Sequence, residues 1–165
     1  MKHRDGFTLL EMLIVIAIIL IIAAITIPSM TAAKVHADEA SAVASIRAIN
    51  QAEVSYMASY GGYAETLANL GGAEPCTRSA ATACLLDQSL AGGEKSGYRF
   101  VAVGNNPANG MNTSYFVGAA PVVFDRTGKR LFCSTDKNVI RADGNGGGST
   151  TPPDGQQCAG FGALQ

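Results

Sequence analysis

Apolar side chains crowd the start of the chain. Met12 to Ile25 reads MLIVIAIILIIAAI, fourteen apolar residues without a break, and between Phe7 and Ile27 only Thr8, Glu11 and Thr26 are polar. As a helix, this 21-residue stretch extends about 31 Å at roughly 1.5 Å per residue. That length matches a bilayer hydrocarbon core of about 30 Å. Further along, apolar residues recur at Val35, Ala42, Val43, Ile46, Ile49, Val54, Met57 and Tyr60. At 100° per residue most of these share one face. Lys34, Ser41, Ser45, Gln51 and Ser55 lie largely opposite, whereas Glu39 and Glu53 fall near the apolar stripe and interrupt it. Gly61-Gly62 is a stop signal. The pattern predicts one helix from Phe7 to about Tyr60, with Pro28 expected to end or kink its membrane-length part. Fifty-four residues in one helix measure about 81 Å, more than a globule of this size encloses, so the first half is expected to protrude.

After Gly62 the period changes. Residues 61–97 read as a connecting loop broken by Gly71-Gly72, Pro75 and Gly92-Gly93, with Leu85 to Leu90 able to form a short helix. Strand patterns follow at Tyr98–Val103, Ser114–Ala119, Val122–Asp125 and Arg130–Cys133, and Asn138–Arg141 reads as a short edge strand. Arg126-Thr127-Gly128-Lys129 reads as a hairpin turn, and Pro121 as a corner or edge. Short strands joined by tight turns, packed on the second half of the helix, make an α+β head with an antiparallel sheet.

The chain has 165 residues, enough for one such domain. Its formal net charge is −1, which argues against a chain-wide electrostatic footprint for nucleic acid. The turn cations Arg126, Lys129 and Arg130 read as a solvated hairpin tip. Charged residues are only 15% of the chain, well below the usual quarter. Lys2 and Arg4 precede the apolar run and favour a cytoplasmic N-terminus. Glu11 is the anomaly, because a carboxylate inside a lipid-length segment is costly and is usually functional. It either lies close enough to the interface to reach water or meets a positive partner at that depth.

Gly6-Phe7-Thr8-Leu9-Leu10-Glu11-Met12, followed by the apolar run and Pro28, resembles the N-terminal signature of type IV pilins and the related pseudopilins. The resemblance covers about the first thirty residues. It implies that a prepilin peptidase cuts between Gly6 and Phe7 on the cytoplasmic side and N-methylates Phe7. It divides the chain into a leader (1–6), a transmembrane or filament-core helix segment (7–28), an amphipathic second half (29–60), the connecting loop (61–97) and a sheet with a disulfide-framed C-terminal loop (98–165). Loss of the leader removes Lys2, Arg4 and Asp5 and leaves 159 residues with a side-chain charge of −2. The new ammonium at Phe7 could neutralise Glu11 of a neighbouring subunit and set the register between subunits. The implied fold is the pilin fold, and the implied partners are copies of the same chain in a helical filament, the peptidase, an assembly platform and its motor ATPases. The implied location is the bacterial inner membrane before assembly and an extracellular pilus afterwards. Family fibres often unwind the helix just before the proline, here about Leu20 to Pro28, although no glycine between Phe7 and Tyr60 weakens it.

Four cysteines, Cys76, Cys84, Cys133 and Cys158, lie beyond the membrane-length segment. They allow three pairings. Cys76–Cys84 and Cys133–Cys158 are favoured because each closes a local loop, and the second would frame the C-terminal loop that many pilins close. No C-x-x-C pair favours a metal, and no cofactor is implied. Asp143-Gly144-Asn145 weakly resembles a calcium loop without its terminal Glu. No catalytic arrangement is expected, since His36 is the one His left after processing and Gly92-Gly93-Glu94-Lys95-Ser96 lacks P-loop spacing. Two other readings stay open: a pseudopilin of a type II secretion system, and a membrane-anchored binding protein that never polymerises. The Gly6–Phe7 junction and Glu11 argue against the last, because simple anchoring needs neither.

Overall fold

A computed structural model of the chain describes residues 7–144 and 146–164. The leader, with Gly6, and Asn145 of the Asp143-Gly144-Asn145 stretch lie outside the described residues. The chain divides into two compact units, Met1–Lys34 and Val35–Gln165. One helix, α1 (Leu9–Tyr60), supplies the first unit's described structure and the opening element of the second.

In the first unit α1 stays helical through position 28, so the proline does not end the helix there. A single missing donor costs one backbone bond, and the apolar turns on either side keep their own ladders. From Phe7 to Thr26 every side chain is exposed except half-buried Ala23.

In the second unit α1 buries Ala42, Ile46, Ile49, Ala52 and Tyr56, a spacing of threes and fours that defines a single face. That face meets a six-stranded antiparallel sheet in strand order β1-β2-β3-β4-β5-β6. The strands are β1 (Glu94–Lys95), β2 (Tyr98–Ala108), β3 (Met111–Pro121), β4 (Phe132–Thr135), β5 (Arg141–Ala142) and β6 (Gly162–Ala163). Together they form the α+β pilin-like fold. β2 and β3 make a long hairpin, registered from Tyr98 opposite Pro121 to Ala108 opposite Met111. Asn109 (φ 52°) and Gly110 (φ 79°) turn it. Two positive φ angles in a two-residue loop match the right-handed twist of the strands.

Alternation along the hairpin sorts the layers. Tyr98, Phe100 and Ala102 share the helix-side core with Tyr115, Val117, Ala119 and Phe132. The opposite face of β3 and β4 carries Phe116 and Cys133, which pack with Cys158 and Phe161 of the C-terminal segment. This second covering explains why β3 is buried on both faces from Tyr115 to Pro121.

Several sequence expectations need correction. Residues 61–97 are more than a loop: they hold α2 (Leu67–Leu70), α3 (Gln88–Ala91) and β1. The short helix begins at Gln88 rather than Leu85, because the amides of Leu85 and Leu86 donate to the Leu70 carbonyl and the Asp87 carboxylate caps the next turn through Leu90 N–H. Val122–Asp125 is a turn, not a strand. The Thr127 hydroxyl accepts from Val123 N–H and lies 3.1 Å from its carbonyl, and such local bonds compete with a ladder. The strand expected at Arg130 starts at Phe132. The expected edge strand at Asn138 shrinks to Arg141–Ala142 and is itself covered by β6.

Candidate functional site

The N-terminal end of α1 is built by Thr8 and Glu11. The Thr8 hydroxyl accepts from Glu11 N–H at 3.2 Å, and Glu11 Oε2 accepts from Thr8 N–H at 3.0 Å and from the Thr8 hydroxyl at 2.9 Å. This is a capping box, two otherwise orphaned helix donors satisfied reciprocally. The signal was present in the sequence as Thr-x-x-Glu ahead of an apolar run, although it does not by itself choose between the two readings of Glu11. Both received bonds end on Oε2, and Oε1 receives none among the described residues. Phe7 stands just before the helix and is exposed.

Behind this cap runs the apolar surface. Leu9, Leu10, Leu13, Ile16, Ile19 and Ile22 are all at least half exposed, as are most of their apolar neighbours. α1 is long and apolar enough to cross a membrane by length and composition, and none of that stretch is buried within the chain. Leaving such a surface in water opposes its preference for an apolar medium by about 25 cal/mol per Å². Lipid or other apolar helices are the two ways to cover it, and the apolar helix is consistent with membrane anchoring.

In the head, four cysteines pair locally: Cys76 with Cys84 (Cα–Cα 6.0 Å) and Cys133 with Cys158 (5.9 Å). The second bridge ties β4 to the short helix α4 (Gly155–Ala159), which Asp154 caps through Gln157 N–H. Cys133 and Cys158 are both buried, so this bridge also fills the outer core.

The two carboxylates that interrupt the helical stripe have distinct partners. Glu39 accepts from the backbone N–H of Lys129 and Arg130 and pairs with the Arg130 guanidinium at 2.8 Å. Burial pushes its carboxyl up, but these bonds and the nearby charge outweigh burial and hold it below the usual carboxylate range. Glu53 is fully buried and accepts one bond, from Ala64 N–H at 3.0 Å; Oε1 has no partner among the described residues. Burial pushes Glu53 up to about 7 against that single bond. Asn50, at the same face, joins Ser134 and Tyr115 in a buried polar network that extends to Asn138. The sequence marked Glu39 and Glu53 as flaws in a stripe and did not reveal their partners.

The remaining candidates stay apart. His36 is exposed on α1. Asp143 accepts from Leu131 N–H at 2.7 Å, which anchors the start of the Gly-rich segment. No group of three or more His, Cys, Asp or Glu side chains comes together to hold a metal among the described residues. The turn cations are partly committed, Arg130 to Glu39 and Lys129 to Asp125.

Residues 1–27 match the family model of the prokaryotic N-terminal methylation motif. No curated protein and no solved structure matches the chain. The matched segment contains the Gly6–Phe7 junction, the Thr8–Glu11 cap and the exposed apolar turns. The chain thus carries a type IV prepilin-like N-terminal signature on an α+β pilin-like fold.

Proposed function

We propose that this chain is the structural subunit of a type IV pilus. A prepilin peptidase removes residues 1–6, Phe7 becomes the methylated N-terminus, and the subunit waits in the inner membrane before it polymerises through α1. The observation that carries this reading is the capped carboxylate of Glu11 at the head of an apolar helical stretch that is exposed almost throughout. In a lone anchor that carboxylate does no more than cap its own helix. In a bundle of identical helices it can meet the ammonium of a neighbour's Phe7. Removing one partner of a buried pair leaves an uncompensated charge, at a cost of about 3–5 kcal/mol. The pair therefore selects the register in which each amine finds a carboxylate. The filament is the function, so the chain needs no catalytic residue of its own; force for extension comes from separate motor ATPases. Glu11→Ala tests the pairing. The variant should insert, be cut before Phe7 and accumulate in the membrane, with surface filaments reduced at least tenfold. Wild-type filament yield from this variant would refute the role given to Glu11.

A further inference from the structure

The head carries two surfaces that complement each other and that one copy cannot bring together. The first is a groove of about 980 Å³ on the outer face of the sheet, beside the C-terminal loop. Its floor includes Val101, Val103 and Phe116, and its rim holds the carboxylates of Asp136 and Asp154; no Lys, Arg or His among the described residues lines it. Val103 is 40% exposed there. The second is the turn 122–130, which presents Val123 (45% exposed) and Phe124 (38%) beside the exposed Arg126. Arg126 makes no ion pair among the described residues.

The turn is held in shape before any partner arrives. The Thr127 hydroxyl and the Thr127 and Arg126 amides bind Val123, Asp125 N–H donates to the Gly128 carbonyl, and Glu39 holds the Lys129 and Arg130 amides. Gly128 lies against the Tyr98 ring, where a side chain would collide with the hydroxyl. A loop fixed in this way loses little freedom on binding.

Position decides how the surfaces can meet. The turn leaves the sheet where Tyr98 pairs with Pro121, and the groove opens where Asn105 pairs with Ser114. Along β2 the groove runs from Val101 to Asn105, three to seven residues beyond Tyr98 or about 10 to 23 Å at roughly 3.3 Å per residue, and the turn is bonded in place short of its near end, so a copy's turn does not fill its own groove. Glu39 bonds to the turn end and Asn50 to the groove end through Tyr115. The line from turn to groove therefore follows α1 within the head. We propose that the turn Val122–Arg130 of one copy docks in the sheet-face groove of the next, with Val123 and Phe124 on the apolar floor and Arg126 between Asp136 and Asp154. The contact joins unlike patches, so it repeats head to tail, as an open filament where the rotation between copies does not close a ring. The two patches lie toward opposite ends of the head part of α1, so head-to-tail copies can stack along it with these parts parallel. The proposal rests on the filament reading above and names the head surfaces that reading needs.

The test uses full-length chains in cells that have the assembly machinery, with filaments sheared and quantified by immunoblot. Arg126→Glu and Asp136→Lys should each lower filament yield at least tenfold, and the double variant should recover to within threefold of wild type. Yields unchanged in both single variants, or no recovery in the double, would overturn the contact. A second measurement uses chains that carry both Val123→Cys and Val103→Cys. In intact filaments these should give a disulfide ladder on non-reducing gels; assembled filaments without a ladder would overturn the contact. Wild-type cells without filaments of this chain would remove the filament reading and the contact together, whereas wild-type filaments indifferent to these changes would remove the contact alone.

Discussion

Glu53→Gln probes the least satisfied group in the head. Glu53 is fully buried, holds Ala64 N–H with one oxygen, and leaves the other without a partner among the described residues. Burial raises its carboxyl from an ordinary 4.5 to about 7. The folded head therefore binds a proton that the unfolded chain has already released at intermediate pH. Stability contributed by neutral Glu53 is fully present below about 4.5, falls as pH rises towards 7, and is gone above it. Two and a half pH units at about 1.4 kcal/mol each make a difference of about 3 kcal/mol across that window. Gln keeps the acceptor and the volume but does not titrate. The assay is guanidinium unfolding of the detergent-solubilised chain with disulfides intact, followed by tyrosine near-UV circular dichroism from pH 4.5 to 8. Subtracting the Gln variant from wild type cancels the other titrating groups. The wild type should lose about 3 kcal/mol relative to the variant over this range. A pH-independent difference would refute the burial argument.

Two further predictions concern the head. Glu39→Ala removes a buried carboxylate that holds two amides and the Arg130 guanidinium, and should cost about 2–4 kcal/mol at pH 7 in the same unfolding assay. Because the folded Glu39 carboxyl is held below its ordinary range, its contribution should fade as pH drops into the acid range, so the difference between variant and wild type should narrow there. Replacing Cys133 and Cys158 together by Ala opens the loop between β4 and α4 and empties part of the outer core, which should cost about 2–5 kcal/mol; protease sensitivity confined to residues 143–160 is the expected signature.

How much was readable from sequence differs by element. The long helix, its stop at Gly61-Gly62 and the hairpin cores at Tyr98–Val103 and Ser114–Ala119 follow from apolar period alone, because each has a single buried face or a buried run. The hairpin extends further than that pattern because Asn109-Gly110 sets its turn, and the flanking Asn105–Ala108 strand is too polar to betray itself. Val122–Asp125 looked like a strand because three apolar residues precede the Asp, yet the Thr127 hydroxyl and the following Gly128 close a turn there. Side-chain partners were the least legible feature. Arg130 lies 91 residues from Glu39, and nothing in the helical pattern points to it. The N-terminal cap is local, Thr8 and Glu11 lying within one turn, yet Glu11 is weighed from the sequence only against water or a cation, and its cap goes unread there.

The exposed first part of α1 has a proposed double use, covered first by lipid and then by copies of itself. Its most direct test is intact mass spectrometry with N-terminal fragmentation of the subunit in sheared surface filaments. The expected result is one dominant polypeptide that begins at Phe7, carries a single methyl group on that amine and retains both disulfides. Filaments that lack this chain, or a chain that keeps Met1 and remains unassembled in the membrane while filaments form, would contradict it.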